Sequence, residues 1–445
     1  MTGIEVIPSA KRLIKSLRDL GYDFCQAIAD IVDNAIEAKA TRVTIDVEFD
    51  GDDSWVRIAD NGKGMNPDAL REAMRYGAER EYDENALGKF GLGLKTASMS
   101  QCQCLSVASR WNPARAEIAA YKWDLGHIEK TNRWEILPIG GTSLRPAIRQ
   151  PLKDSTGTVV FWQRLDRILG YKHPYGEAAR KRLSQTCREI ELHLGMVFHR
   201  FLTGEIRGKR LKLWLNGNEI KPWDPFFRDE PKTKRLHPVT IQVRHEGISG
   251  DVILEPFVLP NQDAFSSPEA FRAASGPANW NQQQGFYIYR AGRMIQSGGW
   301  SNLHAPDEHM KLARVGVSFS PALDEAFKIN VAKMRVQMPE QIRDDVRDAV
   351  APVRKLAREA YDRKQPGPAK PYFDSTILSR TPDASQNPTS STLELSEKRQ
   401  EPYVATSLVT LTIEEWAERM LAKANASERP IIEAVLQRLK EDLPA

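Results

Sequence analysis

The stretch FCQAIADIVDNAIEA, residues 24–38, decides how the chain is read. Phe24, Ala27, Ile28, Ile31, Val32, Ala35 and Ile36 recur at i, i+3, i+4 and i+7, the spacing of one buried helical face. Asp23 can cap this helix, and Gly21 interrupts the helical pattern that runs from 7 to 40. Asp30, Asp33, Asn34 and Glu37 fall on the other side with the same spacing. Such a polar stripe is ordinarily a solvated face. It can also be a site, because Asp30 and Asn34 stand one turn apart and project the same way. An amide oxygen suits Mg²⁺, which takes few protein ligands. A carboxylate one turn away can orient or deprotonate a water.

Two β-branched, alternating runs follow, at 41–49 and 54–59. The second ends in Asp60-Asn61-Gly62-Lys63-Gly64-Met65. By itself this is an Asn-Gly turn. As a site, its glycines let a base approach the backbone closely, and Asp60 at the strand end can accept a hydrogen bond from the exocyclic amine of adenine. Residues 67–76 read as helix and 77–88 as loop.

Then comes GKFGLGLKT, residues 88–96, in which Gly88, Gly91 and Gly93 lead into a helix over 92–102. Backbone N–H groups and the positive end of that helix face any anion bound there, and Lys89 and Lys95 add charge. The spacing is not that of a Walker A loop. No strand leads directly into it, which excludes the Rossmann fingerprint. Strands are predicted at 104–110, 117–123 and 158–162, the last opened by Gly157-Thr158.

The order is acid-x3-Asn on a helix, DxGxGM after a strand, GxxGxG into a helix, then Gly-Thr. It resembles the GHKL superfamily: gyrase B, the heat-shock chaperone ATPases, MutL and the sensor histidine kinases. The resemblance covers residues 28–38 and 60–98, with 157–160 at the expected distance. It implies a Bergerat-type ATP-binding α/β sandwich with ATP and Mg²⁺ as cofactors. Asn34 would hold the Mg²⁺. Asp60 would read adenine, helped by Thr158 through water. Gly62 and Gly64 would shape the base pocket, with Met65 and Met74 near the ring. Gly88, Lys89, Gly91, Leu92 and Gly93 would form the phosphate lid, with Lys95 and Thr96 behind it. Asp30 would activate water, and here this chain departs from the pattern, because hydrolysing members carry Glu. One methylene less means that the water must sit closer or the helix must shift, so slow turnover is expected.

Beyond residue 170 the chain reads as a second α+β domain. A long amphipathic helix spans 176–202, strands fall at 211–215, 239–243, 252–259, 286–289 and 315–319, and a helix covers 340–362. Histidine kinases fit poorly, since their phosphoacceptor helix precedes the nucleotide domain and little sequence lies ahead of Tyr22. Residues 285–300 (GFYIYRAGRMIQSGGW) and 311–321 resemble the transducer domain of MORC-like and MutL-like ATPases, and 211–226 resembles the MORC-like group. In such domains the segment 328–336 presents a lysine to the γ-phosphate, which marks Lys333 first and Lys328 second. The expected architecture is α+β throughout. It comprises an ATP-binding domain at 1–170, a smaller transducer-like (S5-like) domain at 171–364, a flexible linker rich in Pro, Ser, Thr and Gln at 365–407, and a C-terminal helix pair at 408–445.

Composition agrees with a soluble globular chain: 41% hydrophobic, 27% charged and a net charge of +4 in 445 residues. Cys25, Cys102, Cys104 and Cys187 form neither a zinc pattern nor a CxxC pair. Reduced thiols in a cytoplasm are the simplest expectation. No signal-peptide core and no membrane span are visible. The implied function is an ATP-gated homodimeric clamp with DNA as candidate client, suited to defence or repair and favoured mildly by the basic clusters at 207–210 and 232–235. The alternative is a protein-remodelling chaperone or a regulatory ATP switch with little hydrolysis. The C-terminal helix pair offers a docking point for a partner protein in either case.

Overall fold

Asp23 opens the central helix. Its carboxylate accepts from Cys25 N at 2.9 Å and Gln26 N at 3.3 Å, satisfying two of the donors a helix start leaves open. The computed structural model describes residues 8–19, 22–77, 93–170, 172–329 and 336–363. All of them belong to one compact unit, 1–370. The central helix is α2, Phe24–Glu37, preceded by α1, Ala10–Arg18. The expected break between the two helices is present, and so is the Asp23 cap.

The first sheet is built from β1 (Arg42–Glu48), β2 (Trp55–Asp60), β3 (Cys104–Arg110), β4 (Ala119–Asp124), β5 (Leu137–Pro138), β6 (Gly157–Gln163), β7 (Lys212–Leu215) and β8 (Asn218–Glu219). Their order across the sheet is β5-β4-β3-β6-β2-β1-β7-β8. Alternation sets the faces. Val43, Ile45, Val56, Ile58, Val160 and Trp162 are buried on the face that packs against the helices. Ala59, Ala108, Ala120, Val159 and Phe161 line the other face, which Leu144, Ile148 and Leu152 cover. The helices of this region are α3 (Pro67–Met74), α4 (Gly93–Met99), α5 (Leu125–Thr131) and α6 (Pro146–Arg149).

Two sequence readings need correction. The sheet does not close at residue 170, because β7 pairs parallel with β1 from Arg42↔Lys212 to Ile45↔Leu215. The long helix expected over 176–202 breaks at Phe198 (φ −105°, ψ 14°) into α7, Glu177–Val197, and α8, His199–Leu202. Ala179, Leu183, Ile190 and Leu194 form the buried face of α7, and α7 packs on α2.

A second sheet holds β9 (Lys234–Arg235), β10 (Val239–His245), β11 (Ile248–Val258), β12 (Gly285–Arg290), β13 (Arg293–Ser297) and β14 (Ala313–Phe319), with the path β10-β11-β14-β12-β13. Short helices α9 (Pro268–Ala274) and α10 (Trp280–Gln283) precede β12, and α11 (Arg343–Asp362) buries Val346, Val350, Val353 and Ala357 against the sheet. Tyr287, Tyr289 and Met294 join the core of the first sheet. Among the described residues no helix is long and apolar enough to cross a membrane. The four cysteines are free.

Candidate functional site

Helix α2 is the floor of the site. Its polar stripe is not a solvated face: Asp30 is 4% and Asp33 1% exposed, while Asn34 is half-buried. Asp30 Oδ2 accepts from Tyr22 Oη at 3.1 Å, and Oδ1 from Gln26 Nε2 at 3.2 Å. Burial, reinforced by the Asp30 carboxylate, holds the Tyr22 phenol well above its ordinary range. The same carboxylate faces the start of α4: a Cβ added to Gly93 would lie 4.0 Å from Asp30 Oδ2. Asn34 makes no side-chain hydrogen bond among the described residues, so its amide oxygen is available for a cation. An oxygen-only donor set of this kind fits Mg²⁺, which keeps most of its ligands from water and phosphate.

The Asp60–Met65 turn docks on the far end of the same helix. Lys63 N donates to Ala38 O at 2.9 Å. Gly62 leaves no room for a side chain, since its Cβ would fall 2.7 Å from Ala38 O. Gly62 N donates to Asp60 Oδ1 at 2.8 Å. Burial pushes the Asp60 carboxyl up from 3.8 to about 6, opposed by the backbone N–H groups of Gly62 and Thr158. Thr158 is directly opposite Asp60 in the β2–β6 ladder. Gly157 (φ +149°) permits that approach, because a Cβ there would sit 2.0 Å from Asp60 O.

Ser109, absent from the sequence reading, links these parts. Its Oγ accepts from Met65 N at 2.8 Å, donates to Gly157 O at 2.8 Å and lies 3.0 Å from Thr158 Oγ1. A serine inside CLSVASR carries no linear signal. It becomes visible only when the register Ser109↔Thr158 is known.

The structure thus brings Asp30, Asn34, Asp60, Gly62, Gly64, Met65, Gly93 and Thr158 around α2 and the adjoining strand ends. Met74 is fully buried in the main core, where its carbonyl accepts from Trp123 Nε1 at 3.0 Å. Thr96 is 1% exposed and its hydroxyl has no hydrogen-bond partner among the described residues. Lys95 is buried. Its ammonium points inward to Ala73 O at 3.1 Å, and burial lowers its pKa to about 8. The carbonyl it meets belongs to the end of α3. Lys328 is exposed, beyond the 3-10 turn Pro321–Leu323, with φ 47°. Gly88, Lys89, Gly91, Leu92 and Lys333 lie outside the described residues, as do the linker and the C-terminal helix pair.

A mixed sheet backed by α2, with a buried carboxylate at mid-helix and a strand-end Asp beside a glycine turn at the helix's C-terminal end, fits an ATP-binding domain of the GHKL kind. The family model for the histidine kinase-, DNA gyrase B- and HSP90-like ATPases matches residues 22–158. Protein MICRORCHIDIA 6 of Arabidopsis thaliana is 35% identical over 78 residues, 16% of this chain and 12% of that protein. Protein MICRORCHIDIA 3 of the same plant is 37% identical over 78 residues, 16% and 13% respectively. ATPase MORC2 of Homo sapiens is 36% identical over 78 residues, 16% of this chain and 8% of that protein. The match therefore spans a small part of each relative's length. The chain carries a GHKL ATPase domain, and that domain is MORC-like.

Proposed function

We propose that this protein binds Mg·ATP along α2 and hydrolyses it slowly. The observation that carries the reading is the docking of two distant glycine segments on one helix, Gly62 at Ala38 and Gly93 at Asp30. Asp60 accepts from the adenine amine, with Thr158 beside it. Asn34 would hold Mg²⁺, which neutralises phosphate charge when bound. Asp30 orients a water toward the γ-phosphate and takes its proton, giving ADP and phosphate. Lys89 and Lys333 are the cations we assign to the phosphates.

The test is nucleotide binding and turnover for the wild type, Asp30→Ala and Asn34→Ala. Asp30→Ala should keep nucleotide and lose turnover. Asn34→Ala should weaken Mg·ATP binding itself. Undiminished activity in both variants sinks the assignment.

We further propose an ATP-dependent homodimeric clamp acting on DNA, tested by sizing with a non-hydrolysable ATP analogue and by the salt dependence of DNA binding. The aspartate at position 30, one methylene shorter than the glutamate of hydrolysing members, also supports the second reading, a switch that holds nucleotide and turns over little. A monomer with the analogue bound, or binding to DNA that ignores salt, would remove the clamp reading and leave the switch.

A further inference from the structure

The β12–β13 hairpin turns on Ala291 (φ 48°) and Gly292 (φ 86°), with Arg290 and Arg293 as cross-strand partners. Its tip is fixed on both sides. A Cβ at Gly292 would lie 2.6 Å from Ile206 Cδ1. The Arg290 guanidinium holds Asp324 with two bonds, 2.6 and 2.7 Å, in a buried pair.

Arg293 reaches the other way, into α2. Its side chain is 1% exposed. Nη2 lies 3.3 Å from Asp30 Oδ1, and Nε lies 2.9 Å from Asp33 Oδ2, close enough for an ion pair though not aligned as a hydrogen bond. Both carboxylates are as buried as the arginine. Two carboxylates this close in a dry interior repel, and a guanidinium between them offsets that repulsion. The nearby His193 on α7 does not share that task, because burial and the Arg293 charge push its imidazole down to about 4. A planar fork with several donors also fixes direction, which a point charge does not.

We propose that Arg293 is a positioning residue for Asp30. It holds the water-activating carboxylate in one orientation, with Asp33 as the second anchor of the fork, and so links the hairpin of the second sheet to the reaction centre on the first. The inference rests on the reading of Asp30 as the group that activates water.

The experiment compares the wild type, Arg293→Lys and Asp33→Asn for ATP turnover, for the Kd of a non-hydrolysable ATP analogue and for thermal unfolding. Lysine restores the charge but cannot span both carboxylates. Arg293→Lys should therefore fold and bind the analogue like the wild type while kcat falls roughly 100-fold, the effect of misplacing a reacting group by about 1 Å. Asp33→Asn keeps the guanidinium and removes its anchor. It guards against a lysine variant that fails to fold, and should lower kcat on the order of 10-fold at unchanged Kd. Wild-type kcat in either folded variant overturns the proposal, and so does a kcat loss that merely follows a loss of analogue binding. A wild type that binds and hydrolyses no ATP overturns the function itself, and the role of Arg293 falls with it.

Discussion

The hydroxyls of Ser109 and Thr158 lie 3.0 Å apart, and the surrounding bonds fix which of them donates. The Ser109 proton goes to Gly157 O, and a lone pair takes Met65 N–H. Thr158 must then donate to Ser109, which leaves Thr158 presenting an acceptor beside Asp60. Ser109→Ala strands the Met65 N–H and the Gly157 carbonyl together. We expect a stability loss of about 1–3 kcal/mol and weaker nucleotide binding, because the Asp60–Met65 turn loses its tether to β3. Denaturant unfolding and calorimetric titration would check both. A variant that loses stability yet binds ATP as tightly as the wild type would separate Ser109 from the site.

Gly64 and Gly77 offer a matched comparison. Their φ values are +67° and +68°, so an alanine at either meets the same backbone penalty. Around Gly77 a Cβ would meet nothing within 4 Å among the described residues, whereas at Gly64 it would fall 2.0 Å from Arg110 O. Backbone cannot move aside as a flexible side chain can. Gly77→Ala should cost about 1 kcal/mol and leave ATP binding intact. Gly64→Ala should cost more and abolish binding by displacing the turn from Ala38. Equal effects at both positions would show that the close approach to Arg110 plays no part.

What the sequence made legible were the local features. The α2 period, the Asp23 cap, the Asp60–Met65 glycine turn and most strands are written in neighbouring residues, and the structure places them where the pattern predicted. What it hid were long-range partners. The helical period assigns Asp30 and Asp33 to one side of α2, but the arginine covering that side lies 263 residues from Asp30. Ser109 sits among small residues and gains meaning only from sheet register. The parallel pairing of β1 with β7 crosses the boundary set at residue 170 for the same reason. The contact of Lys95 with the Ala73 carbonyl was hidden in the same way, because it depends on how α4 packs against α3.

Lys95 gives a prediction that separates contact with the Ala73 carbonyl from contact with phosphates. Burial lowers its folded pKa from 10.5 to about 8. The folded chain therefore binds fewer protons than the unfolded one between these values, and stability rises with pH through that window. Lys95→Met should remove this slope and leave nucleotide affinity within a few-fold of the wild type. A large affinity loss without a change in the pH dependence would return Lys95 to the phosphates.

Asp60 titrates in the opposite sense. Its folded pKa is raised from 3.8 to about 6. The folded chain takes up a proton that the unfolded chain releases, so stability falls as pH rises from about 4 to about 6 and stays reduced above that. At neutral pH the strain is up to about 3 kcal/mol, at roughly 1.4 kcal/mol per pH unit. Asp60→Asn should thus be the more stable protein at pH 7, with the acidic slope gone. It should also be the weaker binder, because the amide offers the adenine amine a poorer acceptor than the carboxylate. In the wild type, nucleotide affinity should drop as the carboxylate is protonated below pH 6, whereas in Asp60→Asn it should stay level. Stability lost to make an acceptor is the mark of a residue kept for binding. If wild type and variant unfold with the same pH dependence and bind ATP equally between pH 5 and 7, adenine is read elsewhere.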